Sequence, residues 1–248
     1  MVEKLDFTKI NINDLGIDYK NINVITPAKV GTTIFSSSLG IYHTHGINML
    51  EYYLNKNNKN LIISGIRNPL DRNISYFFET YHYKDCEPIL KFPDDNNYNK
   101  INTFTCTKEE INNIEINDLI NLFKNKDYIY HNHFTMWYEQ FFNITKINTI
   151  DFDKEKGVQL YKINDDTYVL FFLLEKHINN KKDLEKFLNL ELRDSHNLTS
   201  NKDISILYKK FKEIIKLDSN YKELLLNTDV MKYFYEDEYI KKFNLLYL

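Results

Sequence analysis

The chain has 248 residues, 43% of them hydrophobic and 27% charged, with a formal net charge of −3. That length buries one substantial core, and the balance is that of an ordinary globular domain; it excludes a globally basic nucleic-acid binder, and no nucleic acid is expected as a partner. Cys86 and Cys106 are too few for a disulfide framework or a cysteine metal cluster. A single domain over 1–248 is expected, with nothing to set its oligomeric state. The N-terminal MVEKLDFTKININD is acidic and lacks an apolar core of signal-peptide length. No run of about eighteen apolar residues occurs, so a soluble, cytoplasmic protein without a transmembrane segment is expected.

In chain order, NVIT at 23–26 predicts a first strand, 32–39 a helix and 41–45 a second strand. INMLEYYLNK at 47–56 is amphipathic and helical, and LIISGIR at 61–67 is a short buried strand. This βαβαβ alternation predicts a parallel sheet with right-handed crossovers. Residues 81–106, with Pro88, Pro93 and a polar run at 94–99, predict a long irregular connection. In 108–126 Ile111, Ile114, Ile116, Leu119, Ile120, Leu122 and Phe123 recur at helical spacing, as a packed surface helix requires. The segment 133–142 is a further helix and carries Trp137; aromatic residues at that spacing belong to a core more often than to a binding platform. A turn at 155–157, strands at 158–163 and 167–174, a helix at 179–188, and three or four C-terminal helices complete the chain.

Two segments carry chemistry. PAKVGTT at 27–33 places Lys29, Val30, Gly31, Thr32 and Thr33 directly after a strand, as a turn whose amides and helix N-terminus suit a phosphate. RNPLDRNIS at 67–75 places Arg67 at a strand end and Ser75 eight residues later, two turns into a helix. Each alone also reads as a plain connection, with Pro69 at a helix start. Together they stand at the carboxyl ends of parallel strands, where open α/β sheets bind ligands. The lysine precedes the glycine, unlike the Walker arrangement, which argues against an ordinary ATP or GTP hydrolase. Asn73-Ile74-Ser75 would accept a glycan in a secreted protein, yet it lies inside this site, which favours a cytosolic compartment.

The two segments resemble the nucleotide signatures of the sulfotransferase superfamily, whose donor is 3′-phosphoadenosine-5′-phosphosulfate (PAPS) and whose nucleotide product is the 3′,5′-bisphosphate PAP. The resemblance implies that Lys29, Val30, Gly31, Thr32 and Thr33 grip the 5′-phosphosulfate and that Arg67 and Ser75 grip the 3′-phosphate. Ile34 departs from it, because many members acting on small molecules carry a tryptophan there against the adenine. A looser likeness, over YHTHG at 42–46, the stretch from Trp137 through FDKEKG to LLEKH, and YFYEDEYIKKF at 233–243, points to a bacterial capsular polysaccharide synthesis family. Pattern and resemblance together imply an α/β fold: a P-loop-like three-layer sandwich with a central parallel sheet flanked by helices and a helical C-terminal part.

Sulfuryl transfer needs an in-line hydroxyl, a base for its proton and positive charge on the leaving oxygen. Lys29 suits the last role, and no metal is expected, since no acidic pair is spaced to hold one beside the turn. For the base, His43 and His45 stand two apart on a strand and share a face. Uronyl-type glycan sulfotransferases, which this segment resembles, imply His43; a structural role for one or both, or a His-x-His metal site lacking a third ligand, are the alternatives. Arg72 either adds charge near the 3′-phosphate or caps the helix surface, with Asp71 as its partner; Glu79 and His82 are expected toward the acceptor, and Arg193 or Lys202 over the 3′-phosphate. The polar loop at 81–106 and the aromatic residues near Trp137 point to a carbohydrate acceptor in an open cleft. The competing functions are a nucleotide kinase-like phosphotransferase and a non-catalytic nucleotide-binding relative.

Overall fold

The computed structural model describes residues 2–56, 58–80, 115–125, 127–148, 152–193 and 205–246. Six strands, β1 (Glu3–Leu5), β2 (Ile22–Ile25), β3 (His43–Thr44), β4 (Asn60–Ile66), β5 (Val158–Lys162) and β6 (Thr167–Leu173), form one sheet in the order β1-β5-β6-β4-β2-β3. Strands β6, β4, β2 and β3 run parallel, while β5 is antiparallel to β6 and β1 to β5. The sheet is therefore mixed, which corrects the parallel sheet expected from the βαβαβ pattern. The cause is the short link at 163–166: a parallel return would need a crossover of about a dozen residues or more. Strand β1, with only the residues EKL, has no alternation to announce it.

The helices are α1 (Thr32–Leu39), α2 (Asn48–Leu54), α3 (Pro69–Thr80), α4 (Ile116–Lys124), α5 (Asp127–Thr145), α6 (Lys181–Leu188), α7 (Ser205–Ile214), α8 (Ser219–Leu226), α9 (Asp229–Phe234) and α10 (Asp237–Leu246). Helix α5 begins earlier than 133 because Tyr130, Phe134, Trp137, Tyr138 and Phe141 are all buried along one stripe. The expected loop at 81–106, with Cys86, Cys106 and His82, lies outside the described residues, as do Ile111, Ile114 and Lys202.

Helices flank both faces of the sheet. Ile62 and Ile66 of β4, with Val169 and Phe171 of β6, join a core built with α2 to α5 and the C-terminal helices. Leu61, Ile63, Leu170 and Phe172 point the other way, into a second core with Ile34 and Phe35 of α1, Leu184 and Phe187 of α6, and Phe7, Ile12 and Ile17. A strand buried on both faces reads as a continuous apolar run, which is why β4 was legible.

From β2 the chain passes by α1 to the edge strand β3, then returns by α2 to β4 on the other side of β2. The winding reverses between β2 and β4, and the crevice beyond their carboxyl ends is where such sheets accept ligands. Both sequence motifs emerge there. Gly65, next to the end of β4, lets the first motif settle on the sheet: a Cβ there would lie 2.5 Å from the Val30 carbonyl oxygen and 2.6 Å from Phe172 Cζ. Neither a main-chain oxygen nor a core ring yields cheaply. Gly65→Ala is expected to lower stability by about 1–3 kcal/mol through overpacking, read as a lower midpoint in urea denaturation; an unchanged midpoint would show that the turn is not seated on β4.

Candidate functional site

After β2 the chain turns through Lys29 at φ 71° and Gly31 at φ 86°, two left-handed residues bracketing Val30. Backbone that alternates in this way forms a concave nest of amides suited to an anion. A non-glycine residue in that conformation costs about 1–2 kcal/mol, and the surroundings hold it in place. Arg67 Nη1 donates to the Lys29 carbonyl at 3.0 Å, and Arg72 Nε donates to the Ala28 carbonyl at 3.2 Å. Thr26 and Thr32 share a hydroxyl hydrogen bond of 2.7 Å across the turn. At Gly31 a Cβ would meet only the movable end of the Leu174 side chain, so it is the left-handed φ that favours glycine there. The Val30 side chain is buried in the core, which leaves only its main chain for a ligand, while Thr33 is exposed.

The second motif meets the first. Arg67 Nη1, already on the Lys29 carbonyl, also donates to Ser75 Oγ at 3.0 Å. Ser75 Oγ in turn shares a 3.2 Å hydrogen bond with the Tyr208 hydroxyl of α7. Asn68 caps α3, accepting from the Leu70 and Asp71 amides on Oδ1, and its own amide donates to Glu175 Oε1 at 2.8 Å. Tyr235 donates its hydroxyl to the other Glu175 oxygen, and burial pushes this carboxyl upward in pKa.

Arg72 does not cap the helix surface. It is buried, donates to the Tyr130 carbonyl and Asn73 Oδ1 at 3.1 Å each, and lies 4.6 Å from the Tyr76 ring centroid. Burial brings its pKa down to about 10, which leaves it charged at neutral pH. Asp71, expected to pair with Arg72, instead meets Lys212 Nζ at 2.5 Å. Tyr208 and Lys212 thus stand at the Arg67–Ser75 end of the site; sequence reasoning missed both, because on the amphipathic α7 they carry no motif.

His43 and His45 come together as expected, their ring centroids 5.1 Å apart. His45 Nδ1 donates to the Thr26 carbonyl at 2.8 Å, which leaves Nε2 as the basic nitrogen, and Trp137 Nε1 donates to the His45 carbonyl at 2.9 Å. Desolvation lowers both imidazole pKa values, and the Glu79 carboxylate partly opposes it in each. Both rings are therefore neutral, and able to accept a proton, near pH 7. Glu79 Oε1 lies 2.5 Å from Lys29 Nζ, so α3 delivers a carboxylate to the turn lysine. Trp137 is buried and stacks on Phe141 at 5.2 Å; the core reading holds, and a sugar platform at this residue is corrected.

A cavity of about 210 Å³ opens beside α1, lined by Ile34, Phe35, Leu184, Leu192 and the polar His177 and Arg193, among others. Among the described residues no group of three or more His, Cys, Asp or Glu is placed to hold a metal ion, and no helix is long and apolar enough to cross a membrane. Comparison of the chain with family models, with curated proteins and with solved structures gave no match.

His131, buried on α5, has its pKa depressed from 6.5 to about 4, first by burial and then by the Arg72 charge. The folded protein thus prefers it neutral, while the unfolded chain protonates it below about 6.5. Its share of stability is complete above that pH and is lost as pH falls toward 4, about 2 kcal/mol by pH 5. Urea unfolding at pH 7 and pH 5 checks this: His131→Phe should flatten the difference, and an equal difference in both proteins would exclude His131 as its source.

Proposed function

We propose that the protein is a sulfotransferase that moves a sulfuryl group from PAPS to a hydroxyl, with a carbohydrate as acceptor. The observation that carries the reading is that one guanidinium, Arg67, touches both the Lys29 carbonyl and Ser75 Oγ. Two motifs 38 residues apart in sequence therefore share one crevice, each able to hold one phosphate of a 3′,5′-bisphosphate.

In this reading the 5′-phosphosulfate rests on the amides of the nest and on Lys29, and the 3′-phosphate on Arg67 and Ser75, with Tyr208 and Lys212 beside them. The cavity beside α1, lined by Ile34, three residues past Gly31, with Phe35, His177 and Arg193 among others, takes the adenine in place of a stacking tryptophan. The acceptor oxygen attacks sulfur in line and gives its proton to an imidazole. The bond from sulfur to the bridging oxygen breaks, and its electron pair stays on the departing bisphosphate, where Lys29 offsets the new charge. His43 is assigned as the base because it is the exposed ring of the pair, whereas His45 is half-buried; His45, with Nδ1 on Thr26 and Nε2 basic, is the alternative. Asn73 is fully buried and donates to Tyr221, leaving no room for a glycan, which fits the cytoplasmic setting we assign.

PAP at about a hundred times its dissociation constant should add roughly 2.7 kcal/mol of apparent stability in chelator-treated buffer. No thermal shift in folded protein at saturating PAP, or a shift only with ATP and magnesium, would overturn the donor assignment.

Transfer of labelled sulfate from PAPS to a glycan panel tests the roles. Lys29→Ala should slow turnover by about a hundred- to a thousandfold, and His43→Ala by about a hundred- to ten-thousandfold with PAP affinity retained. Arg67→Ala and Ser75→Ala should chiefly raise the donor KM. If Lys29→Ala alters only the donor KM, its role on the leaving oxygen is wrong; sulfation of simple phenols but of no glycan would overturn the acceptor class.

A further inference from the structure

Glu79 lies seven residues after Arg72 and four after Ser75 on α3, so the three share one helix face. Its pairing with Lys29 at 2.5 Å joins side chains that are 25% (Lys29) and 37% (Glu79) exposed. An ion pair partly open to water contributes modest net stability, so a second anion at the same ammonium can compete with it. That ammonium is the one the proposed donor must use. A phosphosulfate arriving on the nest brings a second anion to Lys29, and the carboxylate is displaced.

The surroundings decide where that carboxylate turns. Arg72 is engaged by the Ala28 and Tyr130 carbonyls and Asn73, and Arg67 by the Lys29 carbonyl and Ser75. His45 has its Nδ1 on Thr26. Both imidazoles feel the Glu79 charge; of the two, His43, on the strand beside the turn and 5.1 Å from the His45 ring, is the one exposed to an incoming acceptor. We propose that Glu79 competes with the donor for Lys29 and, once displaced, orients the His43 imidazole toward the acceptor hydroxyl.

The inference rests on the sulfotransferase reading and adds an order of events to it. A carboxylate on one ring nitrogen fixes the tautomer and stabilises the imidazolium formed as the other nitrogen takes the acceptor proton. The base is thereby assembled only when the donor is seated. Glu79 touches neither the sulfur nor the acceptor and acts as a positioning residue.

The test measures PAP affinity by calorimetry and PAPS turnover for the wild type, Glu79→Gln and Glu79→Asp. Removing the competing charge in Glu79→Gln should tighten PAP binding about two- to fivefold while lowering kcat about tenfold or more. A residue with a merely structural role would not improve binding and impair turnover together. Glu79→Asp, which keeps the charge, should return PAP affinity to the wild-type value. If the wild type binds PAP and Glu79→Gln binds it equally or more weakly, the competition is refuted; if kcat is unchanged, the orienting role is refuted. Failure of the wild type itself to bind PAP would overturn the sulfotransferase reading and this inference with it.

Discussion

Two guanidinium groups hold the site together. Arg67 and Arg72 each donate to a carbonyl of the turn, at Lys29 and Ala28, and so bind the segment after β2 to the segment after β4. They act with the Thr26–Thr32 hydroxyl bond, the Lys29–Glu79 ion pair and the buried Val30 to hold the left-handed Lys29 and the start of α1 against the sheet. Arg72 is the costlier of the two to place, since a buried charge is tolerated only when its donors are engaged. Its three hydrogen bonds and the Tyr76 ring supply that environment. Gly65 completes the seat by admitting the Val30 carbonyl onto β4. The reversal of winding between β2 and β4 and the buried arginine thus set a concave turn beside a second cation.

The charges in the crevice are arranged in layers. Arg72 lies deepest and is sealed by its hydrogen bonds and rings. Lys29 and Glu79 lie nearer water as a pair that an incoming anion can part. His43 and His45 stand at the edge, kept neutral by desolvation despite the nearby carboxylate. Fixed positive charge at the base, an ion pair nearer water and neutral imidazoles beside them are the groups that the proposed sulfuryl transfer would use.

Much of this was legible because it is local. A strand followed by Lys-Val-Gly-Thr-Thr specifies a turn, and the amides of a turn need no distant partner to point at an anion. The placing of Arg67 at the end of a strand and Ser75 about two turns into the helix that follows is likewise local. Strands β2, β4, β5 and β6 were readable from their apolar runs, whereas β1 was not, and neither was the antiparallel pairing of β5 with β6, because pairing direction depends on connection length and on partners far away in sequence. Choice of partner was the other blind spot. Asp71 had Arg72 as its neighbour but pairs with Lys212 from α7, and Glu79 turns to Lys29 across 50 residues of sequence. Charge alone does not say which of several cations is within reach. Trp137 shows the reverse case, where the burial expected of an aromatic at helical spacing was the outcome.

The central claim is that residues 27–33 and 67–75 form one site for a 3′,5′-bisphosphate. Calorimetric titration of the wild-type protein with PAP and with adenosine 5′-phosphate, in buffer stripped of divalent metal, tests it most directly. The account predicts that PAP binds and that loss of the 3′-phosphate weakens affinity at least roughly tenfold, the worth of charged hydrogen bonds at Arg67 and Ser75. Equal affinity for the two nucleotides, or no binding of PAP, would contradict it.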